Sequence, residues 1–307
     1  MPDALSAAKL RIPCSTSNLG SGYDIIGLAL NRYLEATFLP GPPGLKLVRE
    51  GSLARATHDD AEDLVGKSFT GVLGRMGYEV GGTLVLTSDI PIGKGLGSSA
   101  AATLAGSDLA LAASGAAANP EGAFKAAYER EGHGDNAAPC LYGGLRAVLP
   151  GADGPLQIEL ALSPNIGFAY AAPAAPIETK AAREALPALV GHDLAARGLA
   201  RATALVRGLA SADPELIKIG VEDELHVPHR LPMIPGAYNA IGAGYDAGAW
   251  AITISGAGSG LIALCDPANA DEVAAAMRMV FCNGSEDPDC AGFAAEPDFE
   301  GLRRLPI

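Results

Sequence analysis

The stretch Pro91–Ala102, PIGKGLGSSAAA, alternates Gly93, Gly95 and Gly97 and then places Ser98 beside Ser99. Glycine lacks a Cβ and accepts positive φ, so a run of this kind lets backbone N–H groups approach a ligand closely. A β-branched run, Thr83–Ile90, precedes it and an Ala/Leu-rich segment, Ser98–Ala113, follows, which reads as strand, glycine turn, helix. The start of a helix offers about four unpaired N–H groups and roughly half a positive charge. Such a turn is an anion site, and phosphate is the anion it suits best. A serine-capped turn with nothing bound would need fewer than three alternating glycines.

Known phosphate loops narrow the reading. The Walker pattern requires Gly-Lys-Ser/Thr at the helix start, whereas Lys94 precedes the last two glycines. A dinucleotide fingerprint would sit in the first βαβ unit with an acid about twenty residues on, and no suitable acid follows here. Neither His-Arg-Asp nor Asp-Phe-Gly occurs, which excludes the protein-kinase set.

Taken with its neighbours, the segment Pro91-x-x-x-Gly95-Leu96-Gly97-Ser98-Ser99-Ala100 resembles the second signature of the GHMP kinases, the small-molecule kinases named for galactose, homoserine, mevalonate and phosphomevalonate. Ile12–Leu30 resembles their first signature and Ile254–Gly260 their third, in the family's order and at its distances, so the resemblance covers nearly the whole chain. Glu131–Leu145 (EGHGDNAAPCLYGGL) and Ile177–Pro187 (IETKAAREALP) are most similar to the homoserine kinase branch. The resemblance implies transfer of a phosphoryl group from ATP, with Mg²⁺, to the side-chain hydroxyl of L-homoserine. Another small alcohol, such as a mevalonate-like compound, is the alternative within the superfamily; a nucleotide-binding regulator without catalysis is the alternative outside it.

Roles carry over residue by residue. The resemblance assigns the ATP phosphates to Pro91, Gly93, Lys94, Gly95, Leu96, Gly97, Ser98, Ser99, Ala100 and Ala101. It assigns Mg²⁺ to a loop serine, Ser99 or Ser98, and to Glu131, with Glu129 as the competing carboxylate. Arg183 and Arg230, with Thr179, would clamp the substrate carboxylate, because a planar guanidinium matches two oxygens. Asn18 and Asp24 would meet the other polar end, and His133, Asp135, Asn136 and Gly256 complete the substrate set. Asn136 stands where mevalonate-type relatives carry an aspartate, and an amide cannot take a proton as a carboxylate does. The implied mechanism therefore lacks a strong general base: Asn136 orients the hydroxyl, and a loose transition state needs little deprotonation. Asp24, the only carboxylate of the first signature, is the remaining candidate base, and His133 is read as a hydrogen-bonding group. Cys14, Ser21, Tyr23, Gly134 and Ser259 depart from the usual family pattern without removing a proposed ligand.

These residues must be positioned by a chain of 307 residues with 49% hydrophobic and 19% charged residues, enough for one large or two ordinary domains. The net charge of −13 argues against nucleic-acid and anionic-membrane partners, and it leaves triphosphate binding to local groups. Five scattered cysteines without CxxC spacing read as free thiols of a reducing compartment. No apolar run reaches about eighteen residues and no signal sequence is evident, so a cytoplasmic, soluble protein is expected. A homodimer is common in such folds.

Strands are expected at Lys9–Pro13, Tyr33–Leu39 and Leu45–Arg49, with GPPG turning between the last two, and again at Leu145–Leu149, Leu156–Leu162, Ile166–Ala171, Ala249–Ser255 and Gly260–Cys265. Helices are expected at Asp60–Met76, Ser98–Ala113, Pro120–Glu131, Lys180–Leu186, His192–Ala210, Pro214–Leu225, Tyr238–Gly248 and Ala270–Phe281, with HGDNAAP as a loop. His226 and His229 read as the end of a helix near its C-terminal dipole, and Asp108 as a structural residue. PGADGP at Pro150–Pro155 is the expected division, giving domains 1–153 and 154–307. Strands clustered with helices in each half fit an α+β class. The resemblance sharpens this to an N-terminal sandwich domain with the phosphate loop and a C-terminal ferredoxin-like domain, the site lying between them.

Overall fold

The computed structural model describes residues 4–55, 62–285, 287 and 289–307. The first sheet begins with a hairpin of β1 (Ala8–Asn18) and β2 (Gly22–Gly51), joined by a tight turn in which Asn18, Leu19 and Gly20 all take positive φ. Strand β2 is thirty residues long and bends at GPPG without losing its extended backbone. Its two halves flank β3 (Gly81–Ser88): Leu34–Pro40 pairs in descending register and Gly44–Gly51 in ascending register. The two strands expected here are thus one bent element.

Helix α1 (Leu64–Arg75) is capped by the Asp63 carboxylate, which accepts from the Gly66 N–H. The expected start at Asp60 lies outside the described residues. Helix α2 (Ser98–Ala113) has the expected bounds and is apolar nearly all round, as a helix between a sheet and a second helix must be. It packs on β1 and β2 and against α1, and Phe38 meets Phe69 with ring centroids 4.8 Å apart. Asp108 in its middle is held by two hydrogen bonds from Arg304, at 2.8 and 2.9 Å, in keeping with a structural role.

Helix α3 (Pro120–Glu131) starts at an Asn119 cap with proline in the first turn and stops at Gly132, whose φ is 79°. The expected HGDNAAP loop is only half a loop, since Ala137 opens a short helix, α4 (Ala137–Tyr142), that drives Ala138, Cys140 and Leu141 into the core. Strands β4 (Leu145–Gly151) and β5 (Gly154–Glu159) follow as a hairpin, with Gly151 opposite Gly154. The expected division at residue 153 therefore falls at the tip of a hairpin inside the first sheet, and the chain leaves that sheet only after Glu159.

The second sheet contains β6 (Gly167–Ala172), then after helices α5 (Thr179–Glu184), α6 (His192–Ser211), α7 (Pro214–Val221), α8 (Val227–Arg230) and α9 (Ala237–Asp246) come β7 (Ala249–Ile254) and β8 (Leu261–Cys265), then α10 (Ala270–Phe281) and β9 (Ala291–Ala295). Its order is β7-β8-β6-β9 with every pairing antiparallel. In chain order that is second, third, first, fourth, the ferredoxin-like arrangement. Helix α10 covers it with Val273, Ala274, Met277 and Phe281 on one buried face. The chain then returns to the first sheet, where β10 (Arg303–Leu305) pairs with β1 and completes the order β10-β1-β2-β4-β5. All five cysteines are free and buried, and burial pushes the Cys140 thiol up to about 12. Among the described residues no helix is long and apolar enough to cross a membrane.

Candidate active site

A cleft of about 490 Å³ opens where the two sheets meet. Its walls hold Asn18, Asp24, Gly93, Gly95, Gly97, Ser98, Ser99, Ala100, Glu131, His133, Asp135, Asn136, Thr179, Arg183, Arg230 and Gly256, residues from six separate stretches of the chain. Four expected residues lie elsewhere. Pro91 is outside the cleft, while Leu96 and Ala101 are core residues beneath the loop. Lys94, expected as a phosphate cation, turns its ammonium away to the carbonyl of Asp289, and burial lowers its pKa. The reason is local: three positive-φ glycines coil the loop so that its alternate side chain points under it, into the protein.

The loop presents backbone. Gly97, φ 61°, is the N-cap of α2, and among the described residues no side chain caps the first N–H groups of that helix. Gly97, Ser98, Ser99 and Ala100 all line the cleft, the placement a helix N-terminus needs in order to meet an anion. Gly95 sits on the third glycine turn, where a Cβ would come within 2.0 Å of the Ser255 carbonyl oxygen. A Cβ on Gly97 would meet Ser15 Oγ at 2.2 Å and Asn136 Oδ1 at 2.8 Å. Gly97 is therefore needed for close packing of the loop against Ser15 and Asn136.

Asn136 is fixed at both ends of its amide: Oδ1 accepts from Ser15 Oγ at 3.0 Å and Nδ2 donates to Ser17 Oγ at 3.1 Å. Next to it, His133 Nδ1 and Asp135 Oδ1 are 2.5 Å apart, and donor atoms of Asp24, His133 and Asp135 lie within 4.8 Å of one another. Burial opposes a charged His133, but the hydrogen bond and charge of Asp135, with the charge of Asp24, outweigh it and raise its pKa. The imidazole is thus biased toward its charged, donating form. Glu131, at the end of α3, lines the cleft and binds Arg130 at 2.6 Å, whereas Glu129 is exposed outside it.

At the other end of the cleft the two arginines differ. Arg183 forms a two-pronged bond with the Asp24 carboxylate, both distances 2.9 Å. The groups assigned to opposite ends of a substrate are therefore bound to each other here. Arg230 is 2% exposed and donates through Nε to the Ala182 carbonyl at 3.1 Å. Nη1 lies 3.4 Å from His226 Nδ1, and the guanidinium stacks 5.3 Å from the Tyr23 ring centroid. Among the described residues no carboxylate lies within 4.0 Å of this guanidinium. Burial accordingly lowers its pKa. The charge of Asp24 and a hydrogen bond to Tyr23 act against that shift without cancelling it, so the cation remains costly to bury.

The family pattern described as GHMP kinases N terminal domain matches residues 63–144, and that described as GHMP kinases C terminal matches 205–281. A homoserine kinase of Thermus thermophilus is 37% identical over 272 residues, covering 88% of this chain and 90% of the relative. The chain belongs to the homoserine kinase branch of the GHMP kinases. The homoserine kinase of Caldanaerobacter subterraneus is 33% identical, with 86% and 85% covered. A crystal structure of homoserine kinase from Cytophaga hutchinsonii superposes with a TM-score of 0.80 at 28% identity and 99% coverage of both chains. Mevalonate kinase of L. major, solved in complex with R-mevalonate, shares the fold, with a TM-score of 0.71 at 14% identity, covering 97% of this chain and 99% of that one.

Parts of this GHMP kinase site lie beyond the reach of motif reading. Ser15 and Ser17 sit inside a strand, and the signal for them is three polar residues in a row, Ser15, Thr16 and Ser17, where the preceding alternate positions Leu10, Ile12 and Cys14 are core. His226 precedes α8 and is not at a helix C-terminus as expected. It is fully buried, its ring meets the Gly20 carbonyl at 3.0 Å, and burial lowers its pKa. Its N–H and that of Val227 bond Asp223, which seats α8 and so aims Arg230. A largely apolar recess of about 330 Å³ adjoins the cleft and shares Gly93, Ser98 and Ser99 with it; Leu53, Val65, Ile90 and Ile92 form its sides.

Proposed function

We propose that the chain transfers the γ-phosphoryl group of ATP to the side-chain hydroxyl of L-homoserine, giving O-phospho-L-homoserine. One observation carries the choice of substrate: the buried Arg230, with no carboxylate within 4.0 Å among the described residues, and the Asp24 carboxylate line the same cleft as the glycine loop, which fits an alcohol bearing both a carboxylate and an ammonium group. An alcohol that also bears a carboxylate satisfies both ends of that cleft. Arg183 joins the clamp by sharing its fork between Asp24 and the substrate, and Thr179 lies beside it. Asp24, freed in part from Arg183, meets the ammonium group.

The backbone of Gly93–Ala100 cradles the phosphates at the α2 N-terminus, and the adjoining apolar recess accepts the nucleobase. Ser99 and Glu131 supply hard oxygen donors on the cleft wall and fit Mg²⁺, which when bound would neutralise developing charge on the transferred group. Asn136, held by Ser15 and Ser17, orients the attacking hydroxyl. His133 donates a hydrogen bond at the same wall, and no carboxylate stands at Asn136 to take the proton early. Orientation and electrostatics therefore provide most of the rate.

A coupled ADP-release assay with Mg-ATP, comparing L-homoserine with its methyl ester and with mevalonate, tests the reading. Strong preference for the free amino acid is expected; equal use of acid and ester would reject the carboxylate clamp.

A further inference from the structure

His226, unused by the reaction proposed above, is wholly buried in the turn between α7 and α8. Its Nε2 lies 3.0 Å from the Gly20 carbonyl oxygen, which can only accept, so that nitrogen carries the proton. Its Nδ1 lies 3.4 Å from Arg230 Nη1, which can only donate. A neutral ring protonated at Nε2 satisfies both neighbours; the opposite tautomer would set donor against donor and acceptor against acceptor. Packing fixes the ring further, for Tyr23 stacks on it with centroids 4.9 Å apart and a tilt of 32°, and the same Tyr23 ring lies 5.3 Å from the Arg230 guanidinium.

The charges around the ring explain why an imidazole stands here. Asp223, 3.7 Å from Nε2, accepts from the backbone N–H groups of His226 and Val227 at 2.7 and 2.8 Å. Arg230 and, from β2, Tyr23 and Asp24 are the other titratable groups that face it. Burial lowers the pKa of His226 and the Arg230 charge acts the same way, against the charges of Asp223 and Asp24 and the Gly20 bond. With Nε on the Ala182 carbonyl at 3.1 Å, two of the three Arg230 nitrogens are held from the protein side. A carboxylate in place of the imidazole would neutralise Arg230 and compete with an incoming anion, whereas a neutral acceptor fixes the guanidinium and leaves its charge to the cleft it lines.

We propose that His226 is a positioning residue of the carboxylate clamp: as the Nε2–H tautomer it is pinned by the Gly20 carbonyl, accepts from Arg230 and holds that guanidinium, still charged, against the cleft. Gly20 belongs to the β1–β2 turn that carries Asn18, so one ring ties that turn to the short helix carrying Arg230. The inference rests on the proposed homoserine reaction for its kinetic half only, since the tautomer is a property of the unliganded protein.

The tautomer is read by ¹⁵N NMR of the unliganded, histidine-labelled full chain, the His226 signals being those lost in His226→Gln or His226→Asn. A protonated Nε2 and an unprotonated Nδ1 are expected at about pH 7; the reverse tautomer, or an imidazolium, would overturn the proposal whatever the enzyme phosphorylates. Kinetics supply the second half. Glutamine keeps a donor for Gly20 and loses the acceptor at the Nδ1 position, so His226→Gln should raise KM for L-homoserine about tenfold while kcat and KM for ATP stay within about twofold. Asparagine sets its carbonyl near the Nδ1 position, and His226→Asn should recover part of that loss. Equal loss of kcat and kcat/KM, a matching rise in KM for ATP, or no recovery in His226→Asn would make His226 a packing residue and sink the proposal. If L-homoserine is no substrate, the proposed reaction fails and the tautomer still decides this inference.

Discussion

A guanidinium buried with no carboxylate within 4.0 Å, as that of Arg230 is among the described residues, destabilises the empty protein, and under the proposed reading the substrate's carboxylate would offset that cost. Arg230→Gln should therefore raise the melting temperature of the unliganded protein while lowering kcat/KM for L-homoserine by about 2 to 5 kcal/mol, tens- to thousands-fold. ATP affinity, measured without the alcohol, should stay near wild type. Thermal melts with and without L-homoserine check both halves: wild type should gain the larger shift. His133 gives a pH signature. Its pKa is raised in the folded state, so its contribution to stability is complete below the unfolded value of about 6.5 and disappears as pH rises through the folded value. The stability difference between wild type and His133→Gln should thus be largest in acid and shrink as the medium becomes alkaline, as read by denaturant melts; an increase toward alkaline pH would contradict the Asp135 pairing. Ser17→Ala should lower kcat with little change in KM for ATP, because it frees one end of the Asn136 amide.

Elements deliver these residues unevenly. The α2 and α3 termini place Ser99 and Glu131 on one wall, and the same helices are plainly legible in the sequence: a glycine loop before one, an Asn-Pro start and a glycine stop on the other. Turn chemistry and caps are local, so a sequence displays them. The side of a loop on which a lysine emerges depends on the φ of three glycines and on what lies underneath, which is why Lys94 reads as a ligand and is buried against Asp289. Likewise β10 is three residues with two arginines, and its pairing with β1 is a long-range choice that no pattern in RRL announces. At this scale Glu131→Gln should reduce turnover at least about tenfold with partial rescue by raised Mg²⁺, while Glu129→Gln, exposed outside the cleft, should be nearly silent. Gly97→Val should lose activity through displacement of Asn136, and Ser15→Ala in the same chain should restore part of it by vacating the position 2.2 Å from the new Cβ.

On the scale of the molecule, the two sheets are tied by a polar seam. Gly256 N–H donates to the Ser17 carbonyl at 3.1 Å, Gly260 N–H to that of Lys94 at 3.2 Å, Tyr170 hydroxyl to the same carbonyl at 2.6 Å, and the Thr16 and Ser255 hydroxyls meet at 2.9 Å. Buried bonds of this kind do not slide, so the two halves should unfold in one transition by calorimetry. The returning strand β10 adds a second tie. Residues 303–305 pair beside β1, near the other end of the described chain, and Arg304 reaches Asp108 within the phosphate-loop helix. During synthesis these three residues emerge after everything they hold together. A nascent chain that stops short of Arg303 has all the cleft residues named above and leaves β1 as an open sheet edge, so on a ribosome nucleotide binding should be acquired late, in the seconds after residues 303–305 clear the exit tunnel.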